Sequence, residues 1–309
     1  MRDLLPILVA LCVLLAGAFA AAVGVVVLAS GSCSRSAQQP AVVLIYEVDP
    51  QQPSRPVDVP LLVAAVDRRI NQGRSPVARI RPLDDRRIEI GVFASTPQGV
   101  QRIERLLQRR GTLELRILAN RRDHAALIER ALREDADVLK DAKGNVQAWW
   151  VPVHSRPITE DRVYPAVMPG EEFVERTRNR GQREVTEVLV LKDPFDVTGA
   201  YLEQAMPDHD DFGQPCVGFV LGSAGAQRLG ALTSDNLPDA LQGFARRLGI
   251  IVDGQLYSAP AIRSPISKQG KIIGSFTRQQ VEELVEVLNA GPLPAALRLV
   301  EKRPAVAGQ

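Results

Sequence analysis

Aromatic side chains make up only 5% of this 309-residue chain, and just two of them are tryptophan. Single-stranded nucleic acid binds by stacking bases on aromatic rings, so that scarcity argues against such a surface. An excess of one charge sign is also missing. With 38 basic and 36 acidic residues the net charge is +2, which implies neither nucleic acid nor an anionic membrane surface as partner. Histidine and cysteine number three each: His124, His154 and His209 fall in separate segments, and Cys12, Cys33 and Cys216 lie far apart without metal-ligand spacing. Cys12 sits in an apolar run, so at most one disulfide could form, and none is expected. The run Asp208-His209-Asp210-Asp211 could in principle hold a metal. Metal sites need ligands converging from several elements, however, and a polar loop beside Pro207 accounts for it. There is no nucleophile elbow, P-loop or dinucleotide fingerprint. Gly218, Gly222 and Gly225 follow a different pattern that strand-to-helix packing explains. No catalytic, cofactor-binding or metal-binding residue is assigned, and the chain is not expected to be an enzyme.

One long apolar run is present, at the N-terminus. Leu4 to Ser34 carries no charge, and Ile7 to Leu28 is almost wholly apolar. As a helix that stretch is about 33 Å long, enough to span a bilayer. A cleavable signal peptide has a shorter core, about 7–15 residues, so residues 1–30 read as an uncleaved signal-anchor. Lipidation at Cys33 is the alternative, although Leu28 stands far from it. Arg2 is offset by Asp3, so the flanking charges leave orientation open. Residues 31–40 form a polar linker.

Residues 41–119 predict β-α-β-β-α-β. Ala41 to Val48 is a β-branched run typical of a buried strand. Val59, Leu62, Val63, Val66 and Ile70 recur at helical spacing, with Asp67, Arg68 and Arg69 off that face. Val77–Ile80 and Ile88–Phe93 flank an Asp84-Asp85 turn. Thr96-Pro97 starts a helix with Val100, Ile103, Leu106 and Leu107 buried, and Gly111 stops it. Leu113 to Leu118 alternates as a strand with one wet face. That order is ferredoxin-like.

Residues 120–195 read as an insertion. Asp123 caps a predicted helix with stripe Leu127, Ile128, Ala131, Leu132, Val138 and Leu139. Lys143-Gly144-Asn145 is a turn before a strand holding Trp149 and Trp150, which point to opposite faces. Residues 154–181 predict a loop with a short helix around Phe173, and Glu184–Leu191 a returning strand.

The rest of the chain is organised around Arg247–Arg263. Ile250, Ile251 and Val252 meet Asp253-Gly254, and Leu256, Tyr257, Ala261 and Ile262 follow. Asp-Gly between apolar runs is a strong hairpin signal, because a type I′ turn needs positive φ at both central residues. Upstream lie the segment Thr198-Gly199-x-x-Leu202-x-x-Ala205, a strand Cys216–Leu221 with Val217, Phe219 and Leu221 on one face, a small-residue helix Ser223–Thr233, and Asn236 before a helix toward Phe244. Downstream come Gly270–Phe276, a capping box at Thr277-x-x-Gln280, and a helix with stripe Val281, Leu284, Val285 and Leu288. Gly291 ends that helix, and Leu297–Val300 returns as a strand.

This ordered set resembles the first periplasmic domain of SecD, a subunit of the bacterial protein-export machinery. The likeness is good over residues 196–303 and loose over 41–119. It implies an α+β fold in which the N-terminal transmembrane helix leads to a ferredoxin-like base (41–119 and 277–303) carrying an inserted α+β head (196–276), with 304–309 a tail. It also implies a single-pass protein of the inner membrane with its bulk on the periplasmic side. The function implied is an accessory role in Sec-dependent translocation: binding unfolded secretory polypeptide near the SecY channel, beside SecF-like or other SecD-like subunits. Shallow apolar grooves and exposed strand edges bind extended chains with little sequence preference. Val217, Phe219 and Tyr257 are the candidate contacts, although the same residues suit a core. Base-to-head hinges are expected at Thr198-Gly199 and Ser275-Phe276. SecD's later membrane helices do not follow here, so proton-driven pulling by this polypeptide alone is not expected. The alternatives are an envelope scaffold or interaction module that has left export, and a split gene with the missing helices encoded separately.

Overall fold

The computed structural model describes residues 39–50, 57–73, 75–93, 96–159, 162–165, 173–181, 183–238 and 244–305. The predicted membrane span lies outside them, as do most of the linker, the tail and the helix expected before Phe244. Among the described residues no helix is long and apolar enough to cross a membrane.

The fold is a mixed α+β arrangement whose first lobe is an antiparallel sheet under two helices. Strand β1 (Val42–Val48) leads to helix α1 (Val59–Ile70), which starts where the Asp58 carboxylate accepts the Leu61 amide at 3.1 Å. Strands β2 (Ala78–Pro82) and β3 (Arg87–Val92) follow, their turn closed by Asp84 Oδ1 accepting the amides of Arg86 and Arg87 at 2.9 and 2.7 Å. Helix α2 (Pro97–Gln108) is capped by Thr96, as its sequence predicts. Leu44, Tyr46, Leu62, Val66, Ile90 and Ile103 share this lobe's core.

The expected fourth strand of that lobe is displaced. Strand β4 (Leu113–Ile117) leaves the sheet, and its place beside β1 is taken by β17 (Leu297–Pro304), giving the order β17-β1-β3-β2. Residues 41–119 are therefore not a self-contained unit. The expectation of a wet face on β4 also fails, because its alternate residue Arg116 is only 7% exposed. Arg116 pairs with Asp196 and with Glu114 (2.6 Å) and lies over the Trp149 ring at 4.9 Å.

Between β4 and β17 the chain builds the rest of the molecule. Helix α3 (Arg121–Glu134) is capped by Asn120 rather than Asp123. Within the helix only Ile128 and Ala131 of its predicted stripe are buried; Leu132 is exposed, and Val138 and the buried Leu139 belong to strand β5 (Val138–Lys140). Strand β6 (Val146–Pro152) buries Trp150 and leaves Trp149 half-buried. A hairpin of β7 (Ser155–Thr159) and β8 (Arg162–Pro165) comes next. Phe173 is buried and leads into β9 (Glu175–Arg180), where a helix was expected. Strand β10 (Arg183–Leu191) completes the sheet β5-β6-β10-β9. Glu187 inside it is fully buried and bonded by Arg176 at 2.7 Å, and Arg176 also stacks on Trp150.

The last group shares one core. Strand β11 (Val197–Thr198), a 3-10 turn (Gly199–Tyr201), β12 (Leu202–His209), β13 (Pro215–Leu221), helix α4 (Ser223–Ser234), β14 (Leu248–Val252), β15 (Gln255–Ser258), β16 (Gln269–Ile272) and helix α5 (Arg278–Ala290) follow in order. They form two sheets, β11-β4-β14-β15 and β12-β13-β16, which bury Leu115, Val217, Phe219, Ile250, Leu284 and Leu288 together. The β14–β15 turn has φ of 50° at Asp253 and 75° at Gly254, the positive pair that the Asp-Gly signal requires. The α5 capping box forms as read.

Among the described residues the chain passes between the first lobe and the remainder twice, at 109–112 and 291–296. Arg69, expected at the surface, is 1% exposed and sits where those passages meet. Its guanidinium donates to the carbonyls of Leu106 (3.3 Å), Arg109, Arg110 (2.9 Å) and Gly291 (2.5 Å). The Leu293 amide donates to Arg110 O at 2.8 Å, drawing the two passages side by side. Gly111, at φ 77°, leaves the room: a Cβ there would lie 2.6 Å from the guanidinium. Arg69→Met is expected to lower unfolding free energy by roughly 2–4 kcal/mol, since the carbonyls lose a charged donor. The exposed neighbour change Arg68→Met should cost less than about 0.5 kcal/mol. Urea-unfolding midpoints of the two variants measure the difference.

Candidate functional site

The three candidate contacts are core residues. Alternation along β13 turns Val217 and Phe219 inward, and they are 0% and 3% exposed. Helix α5 supplies Val281, Leu284 and Leu288 to the same core. Phe219 is accommodated by Gly270, whose Cβ would fall 2.6 Å from the ring. Tyr257 is 3% exposed and lies between His154 and Phe276, with ring centroids 4.1 and 5.5 Å away.

The expected hinge residues lie within the larger part of the molecule rather than in its two links to the first lobe, and Gly199 packs against Leu113 just beyond the first link. Thr198 pairs with Glu114 across β11 and β4, and Gly199 opens the 3-10 turn. Ser275 and Phe276 precede α5, and Phe276 is held by its stack on Tyr257. The passages that do connect the lobes contain Gly111 and Gly291, both at positive φ.

What remains open is the margin of the sheet β12-β13-β16. Backbone groups on an antiparallel strand alternate in direction, so odd and even residues address opposite neighbours. On β13, Leu221 donates to Lys268 O at 2.7 Å, so its odd residues face β16 and its even residues face β12. The outer edge of β12 is obstructed in three ways. A bulge falls at Glu203, Pro207 has no amide hydrogen, and the Asn289 side chain occupies Ala205. That amide accepts from Ala205 N at 2.7 Å and donates to Ala205 O at 2.9 Å, as a neighbouring strand would. The outer edge of β16 has none of these features. Gln269 and Lys271 direct their backbone groups outward, and among the described residues no backbone hydrogen bond reaches those groups. Ile273 is 43% exposed.

The Asp208–Asp211 run is the end of the β12–β13 hairpin. Asp210 Oδ1 accepts the amides of Phe212 (2.9 Å) and Gln214 (2.8 Å), and Phe212 projects from the tip with 89% exposure. Asp208 is held below the usual carboxylate range by the His209 amide and by Lys271. Burial pushes the Cys216 thiol up. Sequence reasoning missed Asn289, the β16 edge and Phe212. A polar residue on an otherwise apolar turn of α5 was the available sign of the first; the others depend on strand order.

The mixed α+β architecture is that of the SecDF periplasmic domain. It aligns with a crystal structure of SecDF in super-membrane-facing form at TM-score 0.55 and 24% identity, covering 86% of this chain and 30% of that one. It aligns with a SecDF structure, described as a membrane component that enhances protein export, at TM-score 0.52 and 23% identity, covering 84% and 98%. Residues 171–295 match the family described as SecDF, P1 head subdomain, a span that starts upstream of Asp196. SecD of Elusimicrobium minutum is 38% identical over 114 residues, 37% of this chain and 23% of that protein. SecD of Aquifex aeolicus is 37% identical over 115 residues, 37% and 21%. Residues 171–295 are thus similar to the head subdomain of SecD-type P1 domains, and the chain spans less than a quarter of the length of these relatives.

Phe219→Ala should cost about 3–5 kcal/mol, the range for emptying a buried aromatic site. Phe212→Ala, at the exposed tip, should stay within about 0.5 kcal/mol. Thermal unfolding of both variants separates core from surface.

Proposed function

We propose that the chain acts in Sec-dependent protein translocation, as a SecD-like accessory that binds unfolded secretory polypeptide on the extracytoplasmic side of the membrane. The observation that supports this best is the SecDF head-subdomain match over residues 171–295, set in a fold that aligns with SecDF over most of the chain. In this reading residues 7–28 anchor the protein in the inner membrane. The sheet β17-β1-β3-β2 is a ferredoxin-like base with β17 as its fourth strand, and the chain between its two passages is the inserted head. Motion of head against base passes through 109–112 and 291–296, with Thr198-Gly199 and Ser275-Phe276 as pivots inside the head. SecY and a SecF-like or second SecD-like subunit are the partners.

Burial of Phe219 and Tyr257 moves the test to the exposed hairpin tip. A photoreactive residue replacing Phe212 in cells holding a translocation-arrested secretory protein should give adducts to the arrested chain and to SecY. Adducts confined to other envelope proteins, in a protein shown to be folded and membrane-bound, would reject export in favour of a scaffold.

A further inference from the structure

We propose that the junction between the lobes is also a latch on a strand edge: bonds from the end of α1 to the end of α5 keep Asn289 seated on β12, and that seat in turn steadies the junction. This latch is independent of the polypeptide-binding reading above. The two helix ends are built alike. At the end of α1 the Asn71 side chain accepts the Val77 and Ala78 amides at 2.8 and 3.1 Å and donates to Ala78 O at 2.9 Å, closing the outer margin of β2. At the end of α5, Asn289 accepts the Ala205 amide at 2.7 Å and donates to Ala205 O at 2.9 Å, closing the outer margin of β12. Arg69, just before Asn71, donates to the carbonyl of Gly291, just after Asn289. Gln72, next to Asn71, donates to Glu286 O at 3.0 Å. A short path of hydrogen bonds thus joins the two asparagines.

The body and the last turn of α5 are held differently. Val281, Leu284 and Leu288 fix the body in the core, whereas Asn289 is exposed and Ala290 half-buried. A helix end without core side chains opens locally at lower free energy than the body. From the first lobe, Arg69 holds this end at Gly291 O, and Gln72 and Arg102 hold it one turn earlier at Glu286. From the other side, Asn289 ties it to β12. Ala205 stands opposite Phe219 and directs its amide and carbonyl away from β13, so withdrawal of Asn289 leaves both without that partner. Two sets of bonds that order the same few residues share one loss of conformational entropy, and each therefore strengthens the other. Such coupling is reciprocal.

Hydrogen exchange at single amides, followed by NMR on the full chain in detergent micelles with isotope-labelled alanine, leucine and phenylalanine, tests the latch. Ala205 N reports the edge. Leu293 N, which donates to Arg110 O at 2.8 Å, reports the junction, and Phe219 N, on the β16 side of β13, reports the body of the sheet. Gln72→Ala combined with Arg102→Gln removes two exposed donors to Glu286 and spares the buried Arg69. That variant should speed exchange at Ala205 N at least about threefold and leave Phe219 N within about twofold. Arg69→Met, if it folds, should act in the same direction and more strongly. Asn289→Ala should speed exchange at Leu293 N at least about threefold, again with Phe219 N within about twofold. Unchanged exchange at Ala205 N in the Gln72/Arg102 variant, or at Leu293 N in Asn289→Ala, overturns the proposal. So does a rise at Phe219 N equal to the rise at the reporting amide, which marks general destabilisation.

Discussion

A buried cation, Arg69, which forms no ion pair among the described residues, ties the two lobes together. Arg69 reaches from α1 to the carbonyls that close α2 and to the carbonyl of Gly291 after α5. Both are helix C-terminal ends, where unsatisfied carbonyls and the negative end of the dipole attract positive charge. Burial lowers the Arg69 pKa to about 10, which still leaves it charged at neutral pH. Other features follow from its place. Gly111 must lack a side chain, α5 must end where it does, and Glu283 and Glu286 of α5 pair with Arg105 and Arg102 of α2 at 2.7 and 2.6 Å. Asp253 adds a second tie, accepting the Thr112 amide at 2.9 Å beside the first passage.

Beyond that junction, the protein shows how one sheet can be closed on one side and open on the other. Asn289 performs for β12 what a strand would perform, using a side chain from a helix that must be there for the core. The cost of placing an amide on α5 is offset because both of its hydrogen-bonding groups are satisfied. Among the described residues nothing comparable covers β16, a strand of only four residues. Its shortness limits unwanted self-association and leaves room for only a short added segment.

Much of the local structure was legible because its causes are local. Thr96-Pro97, the Thr277–Gln280 box and Asp253-Gly254 each act through neighbours a few residues away, and each forms as read. Strand partnership was not legible in the same way. Leu113–Ile117 has the same apolar alternation whichever sheet it joins, and only the distant β17 decides its place. Charged residues misled for a related reason. Arg69 lies three residues after Val66, on the buried face by helical spacing, yet its charge argued for solvent until the carbonyls that receive it were in view. Val217 and Phe219 carried the ambiguity openly, since a strand's apolar face looks alike whether a helix or a ligand covers it. Helix α5, from the far end of the chain, is what covers it.

The pairing of β1 with β17 joins Val42 to Pro304. A ribosome delivers β1 well before β17. Local elements between them, above all the β12–β13 and β14–β15 hairpins, can form early, because contacts close in sequence cost little loop entropy. The β17 side of β1, by contrast, has no partner until Leu297–Pro304 has been made. The first lobe is thus begun before the elements between β1 and β17 and completed after them. During that interval β1 is itself an exposed apolar edge, the kind of segment that chaperones cover and that aggregates when left alone.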